Sequence, residues 1–180
     1  MRAFRAPASR QLLSVMKFDH ILKKWRARWK GGDSATEGGG GIPETQRIGL
    51  WGEQIAVKAL CDDGYKILGK RVRMRRDEID IVAACDVGGG VEMIVFVEVK
   101  TRRADWFGGG KAALDKRKRH ALCRAAAKYM QRLPKKPFRF DLIEVVGDMG
   151  SGAPPVVRHF KNAFPMELRY VPNGLHKKNF

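Results

Sequence analysis

The sequence predicts an α/β protein built as a three-layer sandwich, with a central mixed β-sheet flanked by helices. Two observations support this fold class: apolar residues recur with helical spacing in two segments, and β-like runs lie between and after them. The predicted helices cover residues 45–63 and 111–133, and the predicted strands cover residues 65–72, 78–84, 93–101, 138–146 and 155–160. The order helix, three strands, helix, two strands is typical of a mixed sheet flanked by helices.

The first predicted helix is defined by apolar residues that lie three and four positions apart. These residues are Ile48, Trp51, Ile55, Ala59 and Leu60. Gly64 is placed to end the helix. Glu53 lies within this apolar segment, so it either faces the sheet or is a solvated acid near the start of a helix.

The next strands bring carboxylates together. The run MIVFVEVKT, residues 93–101, is apolar on both alternating faces over its first five positions, which is typical of a central strand covered on both sides. Its last part places Glu98 and Lys100 on one face. The preceding strand places Glu78 and Asp80 on one face, and a glycine-rich loop joins the two strands as a hairpin. Two or three carboxylates are therefore expected to converge at one face of the sheet.

The second predicted helix is strongly basic. Residues 111–139 carry a net charge of +10, which is most of the +17 of the whole chain. Pro134 and Pro137 follow the helix and close it. A local excess of this size favours a polyanionic partner, with nucleic acid first and an anionic membrane surface second.

Length and composition restrict the class of protein. The 180 residues suit one domain with extensions. The longest strongly apolar stretch, MIVFV, is far shorter than the roughly 18–20 residues of a bilayer span, so an integral membrane protein is not expected. The three cysteines, Cys61, Cys85 and Cys123, form no CxxC pair, and we expect reduced thiols and a cytoplasmic location.

The two ends of the chain differ from its middle. Residues 1–30 form a basic N-terminal extension, residues 31–45 a glycine-rich flexible linker and residues 166–180 a C-terminal tail. The extension has the composition of a transit peptide at its start and of a surface-binding helix further on. A dispensable extension is the third interpretation.

The carboxylates and the lysine suggest a metal-dependent chemistry. Clustered carboxylates repel one another unless a cation lies between them, and hard oxygen ligands select Mg²⁺ or Mn²⁺. A divalent ion and a nearby lysine together suit phosphodiester hydrolysis. The alternative is a structural ion pair between Glu98 and Lys100 at the end of the sheet.

The spacing of Asp80 and the Glu98-Val99-Lys100 triplet, preceded by a helix that carries Glu53, resembles the PD-(D/E)XK nuclease superfamily, which has the restriction endonuclease-like fold. A longer series of segments resembles the YraN family of predicted endonucleases, which is similar to archaeal Holliday junction resolvases. In order, these segments are GLWGEQIAVKALCDDGYKIL, EIDIV, VFVEVKTRR, a Phe-Gly turn, a basic helix, RFDLIEVV and VVRHFKNAF. The resemblance covers about residues 46–165, which we take as the nuclease-like domain.

This resemblance implies a Mg²⁺- or Mn²⁺-dependent deoxyribonuclease that acts on branched or junction DNA by in-line attack of water and leaves a 5′-phosphate. It implies that Asp80, Glu98 and the Val99 carbonyl hold the metal, that Glu53 is an outer or water-mediated ligand, and that Lys100 acts on the attacking water. The chain departs from the family at Asp77, where the family usually has glycine. It departs from the superfamily's nickname at Ile79, where proline would stand.

Basic residues near this site are expected to contact DNA. Arg102 and Arg103 are candidates to grip a phosphate, with a solvated turn as the alternative. Lys111, Lys116, Arg117, Lys118 and Arg119 are expected to contact the DNA backbone, with a solvated helix face as the alternative.

A homodimer is expected from the resolvase likeness, because cutting two strands requires two sites. Two rival functions remain open: a nucleic-acid-binding protein of the same fold without catalysis, and a protein that docks on a membrane surface or a partner through its N-terminal segment.

Overall fold

The computed structural model describes residues 42–103, 114–133, 136–151 and 153–171. The first helix, α1, is Glu44–Asp62, and it is followed by β1 (Lys66–Met74), β2 (Asp77–Asp86) and β3 (Glu92–Arg102). Helix α2 is Lys116–Met130, and β4 (Phe138–Val146), β5 (Val156–Phe164) and a 3₁₀ turn (Leu168–Tyr170) complete the described chain. The predicted order of elements is therefore confirmed.

The five strands form one mixed sheet in the order β1-β2-β3-β4-β5. Strands β3 and β4 are parallel, and the other neighbouring pairs are antiparallel. Helix α2 lies between β3 and β4 in the chain and supplies the crossover that parallel strands require. The strand β3 is central, as its two apolar faces predicted.

The two helices cover opposite faces of the sheet. Ala56 and Leu60 of α1 belong to one core cluster with Val95 and Val97 of β3. The intervening residue, Phe96, contacts Tyr129 of α2 edge to face, with ring centroids 5.5 Å apart. Because neighbouring residues of a strand point to opposite faces, the sheet is a middle layer between α1 and α2.

The second helix begins later than the sequence predicted. The prediction placed its start at Lys111, but Leu114 and Asp115 are not helical, and residues 104–113 lie outside the described ranges. The Asp115 side chain accepts a hydrogen bond of 2.7 Å from the Lys118 amide, which caps the first turn. An aspartate that satisfies a free amide in this way ends the non-helical segment and sets the first helical residue at Lys116.

Strand β5 is longer than predicted. The predicted run ended at Phe160, whereas the strand continues to Phe164. Asn162 has a left-handed backbone, with φ of 51°, and its amide donates to the buried Asp141 carboxylate at 2.9 Å. The strand therefore passes through an irregular residue and resumes pairing, and Phe164 stacks on Phe140 with ring centroids 4.6 Å apart.

Asp141 is held in a buried polar network on the α1 face. The Arg139 guanidinium donates to both of its oxygens at 2.9 and 3.1 Å. The His159 Nε2 atom lies 2.8 Å from Asp141 Oδ2. Burial alone would raise the pKa of Asp141, but these partners and the Asn162 amide outweigh it and lower the pKa. These contacts give Asp141 a structural role, in which it joins β4 to β5.

The described residues bear on two further predictions, which concern membrane-spanning segments and the cysteines. Among the described residues, no helix is both long and apolar enough to cross a membrane. All three cysteines are free, with Cys123 buried and Cys61 exposed. The expected extension, residues 1–30, and most of the expected linker, residues 31–45, lie outside the described residues, and α1 begins at Glu44, within the last part of that linker.

Candidate active site

Asp80 and Glu98 meet where the two central strands separate. The regular pairing of β2 and β3 ends at Ile81 and Val97. One position further on, the Asp80 carboxylate accepts a 2.8 Å hydrogen bond from the Val99 amide. A side chain therefore replaces the backbone partner that the next rung of the ladder would have provided, and it brings Asp80 beside Glu98.

Asp80 and Glu98 are both withdrawn from solvent. The Glu98 side chain is 2% exposed and the Asp80 side chain 15% exposed. Burial and the neighbouring Glu98 carboxylate raise the pKa of Asp80, against the opposing effects of Lys118 and the Val99 amide. Two buried carboxylates in contact favour the binding of a cation between them.

Two lysines neutralise this pair, one on each oxygen of Glu98. Lys100 Nζ lies 2.8 Å from Glu98 Oε1. Lys118 Nζ lies 2.8 Å from Glu98 Oε2 and 4.0 Å from Asp80 Oδ1. Burial acts to lower the pKa of Lys118, but the Glu98 and Asp80 carboxylates outweigh it, so the pKa of this lysine is raised. Lys118 belongs to α2, so the site is a contact between β2, β3 and the start of that helix.

The donor set suits Mg²⁺ or Mn²⁺ held by few protein ligands. Glu98 Oε2 is buried and receives no hydrogen bond from the described residues, because Lys118 lies near it but outside hydrogen-bond geometry. No group of three or more His, Cys, Asp or Glu side chains in the described ranges is placed to hold a metal ion. Mg²⁺ is commonly bound through one or two carboxylates, with waters or substrate phosphates as its other ligands, and Asp80 and Glu98 provide that number.

Glu53 lies at the edge of the pair and is held by an arginine. Its Oε1 atom is 3.7 Å from Arg71 Nη1, and its side chain is 18% exposed. Burial raises the pKa of Glu53, which Arg71 opposes and Glu78 supports. The structure therefore places Glu53 in the electrostatic surroundings of Glu98, but its nearest described ionic partner is Arg71.

The approach of α1 to this region depends on Gly52. A Cβ atom at Gly52 would overlap Thr101 Oγ1 and would lie 3.1 Å from Thr101 Cβ. Only a residue without a side chain allows the helix backbone to lie this close to β3. The next residue is Glu53, so the contact sets the height of Glu53 above the end of the strand.

Arg71 interrupts β1 opposite Asp80. Lys70 pairs with Ile81 and Val72 pairs with Ile79, whereas Arg71 between them has no regular partner in β2. Its backbone is left-handed, with φ of 48°. Its guanidinium lies 3.4 Å from Glu78 as well as 3.7 Å from Glu53. The irregular backbone thus directs a cation at the two outer carboxylates, and Glu78 is engaged by arginine instead of joining Asp80 and Glu98.

The basic residues predicted to contact DNA are placed in four different ways. Lys116 and Arg117 are exposed, and Arg103 is exposed beside Glu44 at 3.4 Å. Arg102 reaches the buried Glu144 carboxylate at 3.1 Å. The structure places Lys118 at the carboxylate pair, and the Arg119 side chain is half-buried with a buried Nε atom that has no described hydrogen-bond partner.

Asp77, the departure from the YraN pattern, is an anchor for α2. Its carboxylate accepts two hydrogen bonds from the Arg124 guanidinium, at 2.8 and 3.0 Å. The added charge at this position is therefore compensated across the helix–sheet contact. The Phe-Gly turn and Lys111, which was predicted to contact DNA, lie outside the described residues.

Sequence reasoning assigned Lys118 to a binding surface and did not single out Arg71 or Gly52. The signal for Lys118 was its position in the first turn of a helix, where an aspartate cap fixes the direction of the third side chain. Gly52 was visible as a glycine inside an apolar helix stripe, which usually has a packing reason. Arg71 carried no signal, because a left-handed arginine within a strand is rare.

The fold and the site define an α/β protein with a buried carboxylate pair and two lysines at the end of its central strands. Residues 52–145 match the family described as Uncharacterised protein family UPF0102. The chain belongs to that family.

The chain is similar to UPF0102 proteins of several bacteria. It is 43% identical to one from Symbiobacterium thermophilum over 103 residues, which cover 56% of this chain and 83% of the relative. It is 38% identical to one from Trichlorobacter lovleyi over 123 residues, which cover 67% of this chain and 92% of the relative. For one from Sulfurihydrogenibium sp. the identity is 36% over 128 residues, covering 70% of this chain and all of the relative.

Proposed function

We propose that this protein is a Mg²⁺- or Mn²⁺-dependent nuclease that hydrolyses phosphodiester bonds in DNA and has the restriction endonuclease-like fold. The observation that carries the proposal is the buried Asp80–Glu98 pair with Lys100 on the same strand as Glu98. The resemblance to the YraN family supports the same function and suggests branched or junction DNA as substrate.

Each residue of the site has a defined task in this proposal. Asp80 and Glu98 would hold the cation, and the resemblance adds the Val99 carbonyl as a third ligand. A bound divalent ion lowers the pKa of water and stabilises charge that develops on a phosphate. Lys100, at 2.8 Å from Glu98, would orient the attacking water and stabilise the negative charge of the phosphate. Glu53 holds a water at the outer edge of the site.

The start of α2 supports binding of a polyanion. Lys116 and Arg117 are exposed in its first turn, and no acidic residue lies in that turn. The positive end of the helix dipole disfavours cations at this position. A phosphate backbone placed there would offset that repulsion. Lys118, in the same turn, contacts Glu98 and Asp80, so this basic surface adjoins the carboxylate pair.

The test is cleavage of four-way junction, flap and linear duplex DNA in Mg²⁺ or Mn²⁺. Asp80→Asn and Lys100→Ala are compared with Lys58→Ala, whose lysine lies exposed on α1 and pairs with Asp62 at 2.6 Å. We expect the two site variants to lose about 10²-fold or more in rate while Lys58→Ala cleaves normally. Equal activity in all four proteins would refute the site.

A second candidate function is nucleic-acid binding without catalysis. The observation that favours it is the charge balance of the pair, because Lys100 and Lys118 each contact one oxygen of Glu98. DNA binding that weakens steeply with salt, with no cleavage and no uptake of Mn²⁺, would select this function over the nuclease.

A further inference from the structure

Lys118 lies where a cation between the two carboxylates would lie. Its Nζ atom is 2.8 Å from Glu98 Oε2 and 4.0 Å from Asp80 Oδ1. Lys100, in contrast, contacts the other oxygen of Glu98. Among the ion pairs of the described residues, Lys118 is the one that touches both members of the carboxylate pair.

The position of Lys118 is built into the first turn of α2. The Asp115 side chain accepts from the Lys118 amide at 2.7 Å and fixes the backbone from which the lysine extends. The side chain remains 32% exposed, whereas that of Glu98 is 2% exposed. The ammonium can therefore leave the pair toward solvent without unfolding the helix, whereas Glu98 cannot follow it.

A lysine and a divalent ion cannot occupy this position together. An ion placed between Glu98 Oε2 and Asp80 Oδ1 would take the position of the Lys118 Nζ atom, which lies 2.8 Å from the first oxygen and 4.0 Å from the second. The two positive charges would also repel each other in a buried setting where screening is weak. Binding of one therefore requires departure of the other.

We propose that Lys118 is an internal counter-ion that exchanges with the metal at Asp80 and Glu98. In the metal-free protein it neutralises the pair, and on metal binding it turns outward beside Lys116 and Arg117, where it adds a third cation to the surface that faces DNA. This inference rests on the proposed metal-dependent function. It makes Lys118 a positioning residue that links metal loading to the charge of the binding surface.

The test is Mn²⁺ binding by isothermal titration calorimetry at fixed pH and salt, without DNA. Lys118→Met is compared with wild type and with Lys128→Met, which removes an exposed charge from the same helix and controls for net charge. We expect Lys118→Met to bind Mn²⁺ at least about tenfold more tightly than wild type, because the variant has lost a charged side chain that competes with the metal. Lys128→Met is expected to stay within about threefold of wild type.

Two further measurements keep the outcome decisive. Lys118→Gln removes the charge but keeps a polar side chain, and it replaces Lys118→Met if the latter does not fold. It too is expected to bind Mn²⁺ more tightly. The rise in melting temperature on adding Mn²⁺ is expected to be larger in the Lys118 variants than in wild type.

Two results would overturn the inference, and they are distinguishable. Equal or weaker Mn²⁺ binding by the Lys118 variants, with clear binding by wild type, would refute the exchange and leave the metal-dependent function standing. Absence of Mn²⁺ binding in every protein would remove the metal site itself and the exchange with it.

Discussion

The close contact between Gly52 and Thr101 predicts opposite effects for two glycine substitutions on the same helix. A Cβ atom at Gly52 would overlap Thr101 Oγ1, whereas one at Gly49, about one turn earlier, has nothing within 4 Å. Both glycines lie inside α1. Gly49→Ala and Gly52→Ala therefore make the same chemical change and differ in what the added methyl group meets.

The magnitude follows from two opposing effects. Replacing glycine by alanine inside a helix stabilises it by about 1 kcal/mol. At Gly52 the methyl group must displace Thr101 or the helix, and rotation of the threonine does not relieve the approach, because its Cβ atom itself would lie 3.1 Å away. Overpacking of this kind costs about 1–3 kcal/mol, so Gly52→Ala is expected to be less stable than Gly49→Ala by about that amount.

The assay is the free energy of unfolding in urea for both single variants, Thr101→Ala and the double variant Gly52→Ala/Thr101→Ala. Removing Oγ1 and Cγ2 of Thr101 is expected to recover part of the loss, because Cβ stays 3.1 Å from the added methyl group; a double-mutant cycle measures the recovered part directly. For a chain of 180 residues, each kcal/mol corresponds to roughly 2–4 °C in melting temperature. If Gly52→Ala stabilises the protein as Gly49→Ala does, the reasoning about the helix–strand contact is wrong.

Two more predictions concern the charged residues around the core. The pKa of Asp141 is lowered in the folded protein. Its contribution to stability is therefore present above the ordinary carboxyl pKa and is lost as the pH falls toward the folded value. Between pH 7 and pH 3, the free energy of unfolding in urea is expected to fall less steeply for Asp141→Asn than for wild type. Arg71 has a left-handed backbone, with a φ of 48°. Arg71→Gly is expected to be more stable than Arg71→Ala by about 1–2 kcal/mol, because both variants lose the guanidinium but only glycine removes the strain of the left-handed backbone. Equal melting temperatures of the two variants would contradict this.

Most of the fold was predictable from the sequence because its elements carry strong periodic patterns. Phe138–Val146 was predicted with the bounds that the structure has, and the two apolar faces of β3 placed this strand at the centre of the sheet. The boundaries that differ depend on side chains that act on backbone groups. Asp115 caps α2 and Asn162 passes through a left-handed conformation in β5, and neither interaction appears in a pattern of apolar residues.

The candidate site was predictable in its strands but not in its helices. Asp80, Glu98 and Lys100 follow from alternation along two paired strands, which fixes their faces and their register. The direction of Lys118 depends on how α2 lies on the sheet, and that angle is set by long-range contacts such as the Asp77–Arg124 pair at 2.8 Å. A basic run on a helix therefore indicated charge, but not which of its members turns inward.

The irregular residues Arg71 and Asn162 also affect how this protein can associate. Within the described sheet they lie on the two outermost strands, β1 and β5, and each strand also changes register with its inner neighbour. An outer strand that is kinked and charged is a poor template for a strand of another molecule. Both borders of the described sheet are therefore poor sites for adding a strand, and we expect a dimer of this protein to form through helices or loops instead of by joining two sheets into one.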